Sequence, residues 1–227
     1  MKYVIRFQKT GVICYTSHLD IMKVFKRSFK RAGIRLAYSQ GFNPHPKMGF
    51  AQPLSLGYES FDEYIEFETA DAYEPAEILE KMRALMPEGL TLLSIEEARH
   101  PKTLAANTVS AEYLIEIPVT DAERGRLSSD MRILWQDYMG QNEILAWKKQ
   151  KKKKDLVQVD IRPKIRELVF YMGEGELHIE TVLDSGSDSN LSPELVITTV
   201  LEKFGFSTPR SGVRVTRTKI HFKDILT

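Results

Sequence analysis

The sequence predicts an α+β fold made of two ferredoxin-like (split βαβ) halves in tandem, antiparallel sheets with helices on one face. Three observations predict it. Apolar periodicity follows the order β-α-β-β-α-β through residues 1–98. Residues 99–110 lack a period and contain Pro101, as a linker does. Residues 111–227 then approximate the first order with one added strand and a Lys-rich hairpin or loop, although no residue-level repeat relates the two halves.

The first strand spans residues 2–8 and opens on Lys2-Tyr3-Val4-Ile5-Arg6-Phe7, which is not the pattern of a signal peptide. Ser17, followed three residues later by Asp20, marks a capping-box-like start to a helix that ends near Gly33. Residues 34–38 suit a short strand. Glu63-Tyr64-Ile65-Glu66-Phe67-Glu68 mixes apolar and acidic residues in near alternation, the mark of a half-buried strand. Pro75 opens a second helix with an apolar stripe of Ile78, Leu79, Met82, Leu85 and Met86, Gly89 ends it, and 90–95 supply a fourth strand. In the second half, 113–119, 157–161, 167–171, 177–182 and 213–222 read as strands. Residues 121–138 and the segment from Ser192-Pro193-Glu194 to Gly205 read as helices.

At 227 residues and 42% apolar content the chain can bury a sizeable core. Its net charge of +1 hides segregation: acidic residues run from Glu59 to Glu80, so any polyanion binding must be local. Cys14 is the only cysteine, which excludes an intrachain disulfide and a thiolate cage supplied by this chain alone. A cytoplasmic protein is expected, and no apolar run approaches the roughly 18 residues that span a bilayer.

Two basic segments stand out. On the first helix Lys23, Lys26, Arg27, Lys30 and Arg31 share one arc, opposite Met22, Phe25, Phe29 and Ala32. Lys148, Lys149, Lys151, Lys152, Lys153 and Lys154 follow Trp147. Each is either a solvated surface or a phosphate-contacting one, the second being a nucleic-acid interface whose affinity falls steeply with salt.

Between them lies Tyr38-Ser39-Gln40-Gly41-Phe42-Asn43-Pro44-His45-Pro46-Lys47. Glycine and proline restrict or define its backbone, while amide, imidazole, ammonium and aromatic groups are carried on it. Tyr38, Ser39, Gln40, Phe42, Asn43, His45 and Lys47 are therefore candidate substrate-binding residues. His18 and His45 are candidate acid/base residues, with packing as the alternative role for a lone histidine. His100, His178 and His221 lack metal-site spacing, and neither a GxxxxGK[ST] nor a GxGxxG motif is present. No metal or cofactor is expected.

Ser17-His18-Leu19-Asp20, Arg31-Ala32-Gly33, the loop from Tyr38 to Lys47 and Pro53-Leu54-Ser55-Leu56-Gly57 resemble the uncharacterised radical SAM-linked protein family, the DUF2344 domain. The resemblance is strongest over residues 3–95. It implies a radical SAM protein as a partner in trans, because one cysteine cannot supply the CxxxCxxC of an iron–sulfur cluster. A weaker similarity, of architecture only, is to the tandem ferredoxin-like RNA-processing proteins of CRISPR systems. The function expected is that of an accessory or substrate-binding protein acting with a radical SAM enzyme on RNA or a ribosome-related substrate. The alternatives are an RNA-processing or RNA-modifying enzyme using His18 or His45, and a protein-docking module.

Overall fold

A computed structural model describes residues 1–98, 100–149 and 155–223. The fold is α+β with a mostly antiparallel sheet. The chain divides into two compact units, one formed by Met1–Val109 with the segment from Arg217 onward, the other by Ser110–Thr216.

In the first unit the order is β1 (Lys2–Lys9), α1 (His18–Arg31), β2 (Met48–Phe50), β3 (Glu59–Glu68), α2 (Pro75–Arg83), β4 (Leu90–Glu97) and α3 (Leu104–Asn107). The strands stand in the order β4-β1-β3, with β2 on β3, and the β1–β3, β1–β4 and β2–β3 pairings are all antiparallel. Alternation decides which side chains enter the core. Tyr3, Ile5 and Phe7 of β1, with Ile65 and Phe67 of β3, pack with Ile21, Phe25 and Phe29 of α1 and Ile78 and Met82 of α2. The intervening Val4 joins a separate cluster with Ala51, Leu104 and Ile220.

Helix α1 begins as its sequence implies, with the Ser17 hydroxyl accepting from the Asp20 N–H at 3.2 Å and donating to the Asp20 carboxylate at 2.6 Å. It ends in a Schellman arrangement: Gly33 takes φ 73°, and the Ile34 N–H reaches back to the Phe29 carbonyl at 3.0 Å. Residues 34–38, expected as a strand, make only the isolated bridges Leu36↔Thr69 and Tyr38↔Pro46. The regular partner on that part of β3 is β2, which lies beyond the Gly/Pro loop.

The second unit holds β5 (Thr108–Pro118), whose first two residues lie in the first unit, then α4 (Asp121–Arg124), α5 (Met131–Met139), β6 (Leu145–Lys149) and β7 (Leu156–Asp160). After them come β8 (Ile165–Met172), β9 (Glu176–Asp184), α6 (Pro193–Phe204) and the start of β10 (Arg214–Phe222), and the order β10-β5-β9-β8 runs across this unit's sheet. Tyr138 of α5 lies buried against Phe170 and donates or accepts a 2.7 Å hydrogen bond with Thr199 of α6. The single helix expected over 121–138 is two, because Gly125 closes α4 and the Asp130 carboxylate caps α5 through the Arg132 N–H. Strand β6 is an addition to the expected elements; its apolar signal is confined to Leu145, Ala146 and Trp147. The segment expected as a linker carries α3 and the first residues of β5, and residues 217–223 of the final strand's end group with the first unit.

Candidate functional site

The Gly/Pro loop is closed by its own backbone. The Ser39 N–H donates to the His45 carbonyl at 2.8 Å, the His45 N–H donates to Ser39 Oγ at 3.0 Å, and the Lys47 N–H donates to the Ala37 carbonyl at 2.8 Å. Gly41 takes φ 132°, a backbone angle that side-chain-bearing residues rarely adopt. Beyond this closure Gln40, Phe42, Asn43 and His45 are exposed, Phe42 completely so. The side chains of Gln40, Asn43 and His45 make no hydrogen bond among the described residues. Tyr38 is 47% exposed, and Lys47 pairs with Glu68 at 2.8 Å.

On α1, Lys23, Lys26, Arg27, Lys30 and Arg31 are all exposed, as the helical arc requires. Lys23 is held by Asp20 at 2.9 Å, whereas Lys26, Lys30 and Arg31 have no ion pair among the described residues. In the second unit Lys148 and Lys149 are exposed at the end of β6, after the half-exposed Trp147. Lys151, Lys152, Lys153 and Lys154 lie outside the described residues.

His18 and His45 are not brought into contact among the described residues. His45 is on the loop, while the His18 ring stacks edge-on against Phe50 at 4.8 Å and lines a cavity of about 270 Å³, mouth included. Phe7, Ile21, Phe50 and Leu54 supply its apolar walls, and Lys9, Gln52 and Glu63 join His18 as its polar ones.

Sequence reasoning overlooked Lys9 and Glu63. Both continue apolar alternations: Lys9 follows Tyr3, Ile5 and Phe7, and Glu63 precedes Ile65 and Phe67. Each strand thus carries a charged residue at a position that points inward. The Lys9 ammonium is buried and donates to the Cys14 and Thr16 carbonyls, each at 3.0 Å. Glu63 is paired at 2.9 Å with Arg217, whose guanidinium also donates to the Pro53 carbonyl at 3.0 Å. Burial lowers the pKa of the Lys9 ammonium and raises that of the Glu63 carboxyl, the latter against the opposing pull of Arg217. Burial, reinforced by the Lys9 charge, holds the His18 imidazole below its ordinary pKa.

A second opening in this unit, about 640 Å³ with its mouth, is bordered by Lys2, Lys47, Glu66 and Glu68, which pair as Lys2–Glu66 and Lys47–Glu68, each at 2.8 Å. In the second unit Glu116, Glu176 and His178 could offer three ligand atoms to a cation. There the Arg214 guanidinium donates to both glutamates at 3.0 Å, placing positive charge where the ion would sit. Among the described residues no helix is long and apolar enough to cross a membrane.

A chain in the crystal structure of a Cbf5-Nop10-Gar1 complex is similar at TM-score 0.52 and 12% identity, over 98% of this chain and 50% of that one. This chain therefore spans about half the length of that solved chain, and at this identity the likeness concerns fold alone. An unknown protein from Galdieria sulphuraria gives TM-score 0.25 at 12% identity over 95% of this chain and 96% of that one. DyPB from Rhodococcus jostii RHA1 gives 0.23 at 9% over 96% and 90%. No curated protein matches the sequence. The DUF2344 family profile, described as an uncharacterized protein conserved in bacteria, matches residues 2–193, and the chain belongs to that family.

Proposed function

We propose that this protein is a cytoplasmic substrate-recognition accessory that binds single-stranded RNA and acts in trans with a radical SAM enzyme. The observation that carries the reading is the fully exposed Phe42 on a loop closed by the Ser39–His45 hydrogen bonds. Exposing a whole aromatic ring forfeits burial, and a base stacked on it would recover about 1–3 kcal/mol. Gln40, Asn43 and His45 would read base edges beside that stack, and Tyr38 offers a second platform. The cations of α1 supply charge for the phosphates. The resemblance of the sequence motifs to a radical SAM-linked family supports such an enzyme as the partner, and it would act in trans because one cysteine cannot hold an iron–sulfur cluster in this chain. We also read each unit as ferredoxin-like: β4-β1-β3-β2 and β10-β5-β9-β8 are the same permutation of strands, which supports that assignment.

Fluorescence anisotropy with a labelled single-stranded RNA, across a salt series, tests the binding. Affinity is expected to fall linearly on a log–log plot, and the Lys30→Ala/Arg31→Ala double variant should flatten the slope by about 1.4, or roughly 0.7 for each phosphate no longer neutralised. Co-purification with a radical SAM enzyme from the native cell tests the partner. Protein that binds neither RNA nor such an enzyme at low salt contradicts the proposal.

A further inference from the structure

The opening bordered by Lys2, Lys47, Glu66 and Glu68 begins where the Gly/Pro loop ends, and recognition by Phe42 leaves its chemistry unused. Apart from the mouth its space is about 320 Å³, inside the roughly 300–1,000 Å³ of sites that enclose small molecules. Glu66 is the group that asks for an occupant. It is 8% exposed, and neither of its carboxylate oxygens accepts a hydrogen bond among the described residues, because the Lys2 ammonium approaches Oε2 to 2.8 Å outside hydrogen-bond geometry. Buried acceptors are ordinarily satisfied, so this carboxylate calls for donors. Lys2 and Lys47 already balance Glu66 and Glu68, which favours a neutral donor over a cation. Gly49 leaves the room: it stands directly opposite Glu66 in the β2–β3 ladder, on the carboxylate's face, and a Cβ there would meet nothing within 4 Å.

We propose that this pocket binds guanine, as a free nucleotide or within an RNA strand, by its Watson–Crick edge. That edge runs acceptor, donor, donor. Lys2 donates to O6, and the two oxygens of Glu66 accept from N1–H and the N2 amino group. Uracil sets a carbonyl on each side of its one N–H, while adenine and cytosine set a ring-nitrogen lone pair beside the amino group. Each of these three turns an acceptor toward one carboxylate oxygen and is rejected. The side chains of Lys2 and Lys47 are more exposed than that of Glu66, so the base enters first and its phosphate stays near the ammonium groups at the mouth. The proposal rests on the RNA-binding reading only for the source of the guanine.

The test is calorimetric titration of the full chain with the 5′-monophosphates of guanosine, inosine, adenosine and uridine. Guanosine monophosphate should bind saturably, and inosine monophosphate, which lacks only the N2 amino group, about 10-fold or more weakly. Gly49→Val puts a strand-favouring side chain into the space, so binding should vanish with no fall in the unfolding midpoint. Glu66→Gln offers one acceptor in place of two, and it should bring the guanosine and inosine nucleotides toward equal affinity; this reading does not depend on how Gly49→Val folds. No saturable binding of guanosine monophosphate at millimolar concentration overturns the proposal, as does equal affinity for the inosine nucleotide in the wild type. Anisotropy with oligouridine carrying or lacking a single guanine separates the sources. Guanosine monophosphate binding without preference for the guanine-bearing strand supports a free-nucleotide site and counts against the RNA reading. Strand binding that persists without any response to guanosine monophosphate overturns the pocket and leaves the RNA reading standing.

Discussion

The Gly/Pro loop and the His18 cavity lie in the same unit and treat polar chemistry in opposite ways. On the loop, Gln40, Asn43 and His45 are exposed, and hydrogen bonds at the loop's base do the holding. In the cavity, Lys9 and Glu63 occupy inward positions of two strands, and each needs fixed partners to be tolerated there. A loop built this way can lose the side chain of Gln40, Phe42, Asn43 or His45 without harm to the fold, whereas the cavity's charges are part of the core. Mutations in the two places should therefore fail in different measurements.

The largest effect is expected inside. Arg217→Met leaves the buried Glu63 carboxyl without its ion-pair partner, and denaturant unfolding should show a loss of about 3–5 kcal/mol. A loss below about 1 kcal/mol would erase the distinction between core and surface charge. The next test uses pH. His18 has a folded-state pKa below its unfolded value, so its contribution to stability is present above the unfolded pKa and is lost as pH falls through the folded one. Unfolding followed downward from about pH 7 should show that loss in the wild type, and His18→Gln should remove the part due to this group. The smallest effect belongs to the loop's own ion pair. Lys47→Ala removes a pair whose side chains are 46% and 38% exposed, and it should cost about 0–1 kcal/mol, less at high salt.

The same contrast explains what is legible in the sequence. The loop's candidates lie within ten consecutive residues, so composition alone marks Tyr38 through Lys47. The basic arc of α1 is equally readable, because a helix places Lys23, Lys26, Arg27, Lys30 and Arg31 on one side by geometry. The cavity is not. Its polar groups come from residues 9, 18, 52 and 63, and Arg217 stands 154 positions from the Glu63 it neutralises. They meet through the fold: β1, β3 and β10 of the sheet carry Lys9, Glu63 and Arg217, α1 carries His18, and the segment after β2 carries Gln52. A local signal does exist in the parity of Lys9 with Tyr3, Ile5 and Phe7, and of Glu63 with Ile65 and Phe67, but charge at those positions reads first as solvent exposure. Strand and helix types are legible where periodicity is long, as in α1, β3 and α6. They are not where tertiary pairing chooses between neighbours, as when β2 rather than 34–38 forms the regular ladder with β3.

Recognition of RNA by the exposed loop stands or falls on Phe42→Ala in the anisotropy assay. The fully exposed ring belongs to no core cluster among the described residues, so stability should stay within about ±0.5 kcal/mol of wild type. RNA affinity should fall by about 1–3 kcal/mol, the value of one base stacked on an aromatic side chain. Wild-type RNA affinity in a folded Phe42→Ala protein would rule out stacking on this loop as the source of binding.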